Sequence, residues 1–407
     1  MNHRERILAA LAHREPDRVP IDLGGSPVTG ISAISYGQLK RHLGLAGDPP
    51  RVANVILQLA EVEEPVRQRF GADVIGLPLL EALPGVRNDR WKPWTLPDGS
   101  PALISADFAP EVTGRGDLLI RAADGSVTQR MPTGTVHFVP ADAPLAEARP
   151  EDLERFAPRR ISDEELEFLH YAARRLYDET DYAIFGWFGG SVFENAQFAR
   201  GWVNFMMDLK RNPGFAAALV EKLAAAALAD LEHYLQAVGK YVHVIGFGDD
   251  LGVQAGPQIS PDMYRRLVKP HHQRLYGLVH TRSQAYVFLH SCGSVYDLIP
   301  DLIEAGVDVL NPVQTSAAKM EPLRLKREFG ERLTFWGGGC CPHRVLPWAT
   351  PAEVRADVHQ RLDIFAPGGG YVFAPIHDIQ HDVPAENIVA MYDAARYPRF
   401  QHLREGG

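Results

Sequence analysis

Cysteine is scarce in this chain: 407 residues hold only three. That is too few for a disulfide framework. It suits a reducing compartment, where thiols serve as small packing residues, metal ligands or nucleophiles. Basic charge is also in deficit. Lys and Arg number 42 against 51 Asp and Glu, a formal net charge of -9. This argues against nonspecific nucleic-acid binding and against a polybasic membrane surface. Long apolar runs are missing too: no window reaches the ~18 uncharged apolar residues of a membrane span. Residues 1–20 read as a short amphipathic helix, without the apolar core and small-residue cleavage site of a signal peptide. The expectation is a soluble, cytoplasmic protein with no membrane or nucleic-acid partner.

What is present is alternation. Short runs rich in Val, Ile, Phe and Tyr predict strands at Arg18–Leu23, Asp73–Leu77, Tyr182–Phe188, Val242–Gly248, Ala285–His290, Val307–Pro312, Leu333–Gly337 and Tyr371–Pro375. Such runs suit buried parallel strands. Helix punctuation lies between them. Ser162 to Glu165 and Thr350 to Glu353 have capping-box spacing, and Ser260-Pro261 places a cap before a first-turn proline. Gly239, Gly306 and Gly330 follow helical stretches, where a left-handed residue is wanted. Strand–helix repetition demands a parallel sheet, and eight strands point to a (β/α)8 TIM barrel over an open doubly wound sheet. Residues about 85–150 break the pattern. Pro97-Asp98-Gly99 and Asp124-Gly125 between extended runs predict antiparallel hairpins. We read one domain over 1–407 with an inserted hairpin region at 85–150, either a lid over the site or a peripheral ornament.

In a barrel the chemistry gathers at the C-terminal ends of the strands. His290 and Cys292 are two apart, so on an extended strand both side chains point one way, as a zinc ligand pair would. Cys340 and His377, at later strand ends, can converge with them if the barrel closes. Cys340 and Cys341 are adjacent and point apart. Cys340 is preferred because Gly337–Gly339 permit close backbone approach, but a bend at those glycines would turn Cys341 inward instead. Asp249 and Asp250 are candidates for acid–base work or for orienting a ligand histidine, against the plainer role of capping a loop. Glu194 is a candidate acid or fourth ligand, or simply an acid at a helix N-terminus. His271 and His272 read as surface or packing residues.

Arg4-Glu-Arg-Ile-Leu-Ala-Ala-Leu11, Pro16-Asp-Arg-Val-Pro20, His290-Ser-Cys292-Gly, Pro367-Gly-Gly-Gly-Tyr371 and Pro384-Ala-Glu-Asn-Ile388 resemble the uroporphyrinogen decarboxylase superfamily. The resemblance spans nearly the whole chain and implies a (β/α)8 barrel. Its decarboxylase branch is metal-free and carries N-terminal arginines for substrate carboxylates. Here Asp22 to Gly30 holds no arginine. Its other branch comprises zinc-dependent methyltransferases working with cobalamin-carrying corrinoid proteins, marked by His-x-Cys and a later Cys. His290 and Cys292 match, while His377 stands near the place of the later Cys.

The resemblance thus implies methyl transfer between a small methylated compound, methoxy or similar, and a cobalamin on a partner corrinoid protein. Zn²⁺ would be held by His290, Cys292 and Cys340 or His377. Asp249, Asp250 and Glu194 are the further site candidates. The reading admits a homo-oligomer. Its rival is a metal-independent carboxy-lyase with Asp249 or Asp250 as proton donor. A third possibility is a non-catalytic barrel whose strand ends do not converge.

Overall fold

The computed structural model describes residues 1–397, apart from Ala46 and Ala123. A seven-stranded parallel sheet organises it: β1 (Val74–Gly76), β2 (Ala183–Gly189), β3 (Val244–Gly248), β4 (Tyr286–His290), β5 (Val309–Asn311), β6 (Thr334–Trp336) and β7 (Tyr371–Val372). They lie side by side in chain order, each paired in parallel with the next. Each falls inside a run predicted as a strand, or within one residue of it.

The eighth predicted run, Arg18–Leu23, forms only a bridge. Ile21 pairs with Phe373 in parallel. The Asp73 N–H donates to the Ile21 carbonyl, and the Asp22 N–H to that of Phe373. The segment therefore stands between β1 and the continuation of β7, and the architecture is an α/β, TIM-barrel-like one. Its irregularity has a visible cause. Asp73, fully buried, accepts from Arg6, both terminal nitrogens of Arg18, His3 and the Ile21 N–H. Charge pairing at the foot of the sheet takes the place of a longer ladder.

Alternation along the strands splits the apolar side chains into two sets. Val74, Ala183, Phe185, Val244, Phe288, Val309, Trp336, Val372 and Ala374 share one cluster inside the curled sheet. Ile7, Ala10 and Leu11 of α1 (His3–Leu11) plug its lower end. Ile184, Ile245, Val287, Leu289, Leu310 and Phe335 face outward into the larger cluster under the helices. The helices that matter for the site are α2 (Phe193–Arg200), α3 (Lys269–Arg282) and α4 (Pro351–Phe365). The α4 helix has the capping box expected at Thr350 and Glu353. Of the three glycines expected to be left-handed, only Gly306 is, with φ +104°; Gly239 and Gly330 stay in the right-handed region.

Between β1 and β2 the chain forms antiparallel pairs. Trp91–Thr95 pairs with Pro101–Ser105, and a four-stranded sheet spans residues 111–140. The Asp98 and Asp124 carboxylates accept from the N–H groups of Ser100 and Ser126, closing the two Asp-Gly turns. The tail of this segment is tied to the end of α2, where the Arg200 guanidinium donates to the carbonyls of Leu145, Ala146 and Ala148.

Candidate metal centre

Phe288 points into the interior of the sheet, so His290, two residues on, points there as well, and Cys292 follows at the same spacing. His377 arrives from the segment after β7. The ligand atoms of His290, Cys292 and His377 all lie within 4.8 Å of one another. Cys292 Sγ is 3.3 Å from His290 Nε2, and the two imidazole rings are 5.4 Å apart, inclined at 70°. A tetrahedral zinc with ordinary bond lengths sets its sulfur and nitrogen ligands about 3.6 Å apart. Two imidazoles and a thiol at this spacing fit that metal. Among the described residues no other group of three His, Cys, Asp or Glu side chains converges in this way.

The second nitrogen of His290 is fixed. Its Nδ1–H donates to Asn311 Oδ1 at 2.5 Å, and the Asn311 amide is itself oriented by donating to the Trp336 carbonyl at 2.9 Å. Asn311 has no exposure, and β5 sits in register with β4 so that His290 and Asn311 are partners. The lone pair of Nε2 is thereby left for a ligand. Burial lowers the His290 pKa to about 4; the Asp250 charge opposes this and His377 adds to it. The imidazole is therefore neutral, the form a metal needs. Burial pushes the Cys292 thiol up, and Asp250, Glu194 and Asp378 push it further. Its deprotonation calls for a cation at this point.

The carboxylates divide by role. Asp250 accepts from the Cys292 N–H at 2.8 Å and lies 4.0 Å from His290 Nε2. Asp249 faces away from the three ligands. It is 1% exposed, accepts from the N–H groups of Val192, Phe193 and Glu194, and is bonded to His272 Nε2 at 2.9 Å. It holds the start of α2 in place, and the helix N-terminus favours its charge. Glu194, at the head of α2, rises to about 8 through burial and then the charges of Asp250 and Asp249. Asp378 is buried, accepts from the Gly30 N–H at 2.9 Å, and rises to about 6 through burial.

Cys340 is not brought to the three ligands. Gly337 and Gly338 have φ of +112° and +68°, and a Cβ on Gly337 would lie 2.5 Å from the Pro312 carbonyl oxygen. This glycine turn carries the chain out of strand geometry. Cys340 ends fully buried in the outer cluster, hydrogen-bonded to Asp357 of α4, which also accepts from the Cys341 N–H. The close approach expected of the glycines is real, but it turns Cys340 toward the helix layer. Asn311, His272 and Asp378 are the side chains that residue-by-residue reading missed. His272 is 1% exposed and joins Asp249 to the Tyr264 hydroxyl.

Fold and site together define an α/β, TIM-barrel-like protein with a candidate metal centre at the C-terminal ends of its strands. The chain belongs to the uroporphyrinogen decarboxylase (URO-D) family, whose model matches residues 117–397. No curated protein sequence matches it. Among solved structures it is similar to a methyltransferase from Methanosarcina mazei, at 19% identity and a TM-score of 0.59, covering 97% of this chain and 98% of that one. It also matches a B12-independent methionine synthase from Shewanella sp. W3-18-1 at 12% identity and a TM-score of 0.40, covering 88% and 100%.

Proposed function

We propose that the protein is a zinc-dependent methyltransferase moving a methyl group between a small methylated compound, methoxy or similar, and a corrinoid cofactor carried by a partner protein. The observation that carries the proposal is the convergence of His290, Cys292 and His377 with a neutral, oriented imidazole. The full-length likeness to a methyltransferase supports the same class. When bound, zinc supplies a Lewis acid toward the heteroatom that bears the methyl group.

The chain's own residues do the rest. Asn311 aims His290, and Asp250 steadies the Cys292 backbone. Asp249 positions Glu194 through its N–H. Glu194, raised to about 8 by burial and by the charges of Asp250 and Asp249, is the acid we assign to the oxygen that loses its methyl group. We take 1–407 as one barrel domain with 85–150 inserted beside the mouth.

Metal-free decarboxylation is the weaker reading. A carboxylate-rich substrate calls for arginines at the site, and the ion-pair partners of Asp249, Asp250 and Asp378 among the described residues are all histidines. The test is zinc content and methyl transfer on one preparation. Near-stoichiometric zinc, lost in Cys292→Ala together with methylation of cob(I)alamin, supports the proposal. Metal-free protein that releases carbon dioxide from a carboxylate substrate rejects it.

A further inference from the structure

The three candidate ligands are held unequally. His290 and Cys292 belong to one rigid unit. The His290 ring is fixed by Asn311, its side chain is 8% exposed, and the Cys292 N–H is held by Asp250. The turn behind them packs backbone on backbone: a Cβ on Gly293 would lie 2.7 Å from the Val253 nitrogen. His377 has none of this support. Its side chain is 39% exposed. Among the described residues its ring makes no hydrogen bond; the Asp378 carboxylate lies 3.5 Å from its Nδ1 without forming one. A histidine that ligates metal almost always donates its other N–H to such a partner. His290 follows that rule and His377 breaks it.

The backbone at His377 is strained as well. Its φ is +153°. The other described non-glycine residues with positive φ are His13, Gln58, Val313 and Lys319. They lie between 51° and 63°, in the left-handed well that side chains tolerate. His377 lies outside that well, in a region that residues with a Cβ rarely enter. The chain on either side is tied down. Upstream, the Ala374 carbonyl accepts from the Gly339 N–H. Downstream, the Asp378 carboxylate accepts from the Gly30 N–H, and the Ile379 N–H donates to the Gly30 carbonyl. Strain of this kind persists where the surroundings over-determine a residue, and it gathers at functional sites.

We infer that His377 is a releasable ligand: it completes the centre at rest and gives up its place to the heteroatom of the substrate, while His290 and Cys292 keep the metal. The inference rests on the zinc methyltransferase reading and adds to it which ligand is exchanged. The exchange needs no electron and no proton. A neutral imidazole leaves, a neutral ether oxygen or thioether sulfur arrives, and each brings one lone pair. The partly exposed His377 ring can turn into solvent, whereas His290 would have to break its bond to Asn311 inside the sheet.

X-ray absorption at the zinc edge tests this, because it counts sulfur and imidazole neighbours separately. The incoming ligand is 2-mercaptoethanol, whose thiolate is a strong ligand for zinc. The zinc-loaded full-length chain is expected to show two imidazoles and one sulfur. With the thiol it should show one imidazole and two sulfurs, the proton of the probe passing to buffer. His377→Ala should bind zinc about tenfold more weakly than the parent in chelator competition, and its thiol-treated spectrum should match that of the thiol-treated parent. Two imidazoles retained in the presence of the thiol would overturn the inference. So would a loss of zinc from His377→Ala as complete as that from Cys292→Ala. The strain is read on the metal-free protein. His377→Gly should unfold at a higher urea concentration than His377→Ala, the reverse of the usual order of these two residues, and the usual order would count against the inference. A parent chain that takes up no zinc is a different failure: it sinks the methyltransferase reading, and this inference with it.

Discussion

Asn311 and His290, neighbours across β4 and β5, are joined by a 2.5 Å hydrogen bond from the imidazole Nδ1–H to the amide oxygen. The bond selects the tautomer whose Nε2 can bind metal. Asn311→Leu removes the acceptor and frees the ring. Zinc affinity, read by competition with a chelator, is expected to fall about 10- to 100-fold. Asn311→Asp retains an acceptor and should hold zinc close to the parent level.

Cys292 and Cys340 should part company under substitution. Cys292→Ala is expected to abolish stoichiometric zinc. Cys340→Ala should leave zinc content unchanged and cost about 1 kcal/mol of stability, because it deletes a small buried group packed against α4. Zinc quantified in both purified variants checks this. Zinc loss in Cys340→Ala would show that the glycine turn does not face Cys340 away from the centre.

Asp249 is a positioning residue, through its three backbone donors and His272. Asp249→Ala leaves these buried groups without their acceptor. A destabilisation of about 3 kcal/mol or more in urea unfolding is expected. Asp249→Asn, which keeps one oxygen, should lose less. A surface-like effect below about 0.5 kcal/mol would contradict the role.

The contribution of His243 to folding stability should fall on acidification between pH 6.5 and 4. Burial, followed by the charge of Arg4, lowers His243 to about 4 in the folded chain. Its Nδ1 accepts from the Ile184 N–H at 3.0 Å, which needs the unprotonated ring. The unfolded chain takes up this proton near 6.5. At this site the unfolded state binds more protons in that window, so the contribution declines as pH falls, by up to ~1.4 kcal/mol per pH unit. The difference in urea midpoint between the parent and His243→Gln, which keeps an acceptor, should narrow as the pH is lowered through this window, and a difference independent of pH would contradict it.

Much of this was legible along the chain. Ala183–Gly189 and Tyr286–His290 fall on predicted runs because apolar β-branched and aromatic stretches between turns specify buried parallel strands. His290 and Cys292 share a side because strand geometry has a period of two. Other features depend on what is adjacent across strands. The Asn311 role comes from the register of β5 on β4, which spacing along one strand does not encode. The burial of His272 beside Asp249 comes from how α3 packs, and its helix shows only a weak apolar stripe. Cys340 turned outward because two consecutive left-handed glycines end the strand period before it, so alternation no longer applied.

The most direct test of the account is anomalous diffraction at the zinc edge on crystals of the zinc-loaded protein. The account predicts one zinc peak per chain, bound by His290 Nε2, Cys292 Sγ and His377, with Cys340 remaining on Asp357. A peak ligated by Cys340, or no peak among His290, Cys292 and His377, would contradict it.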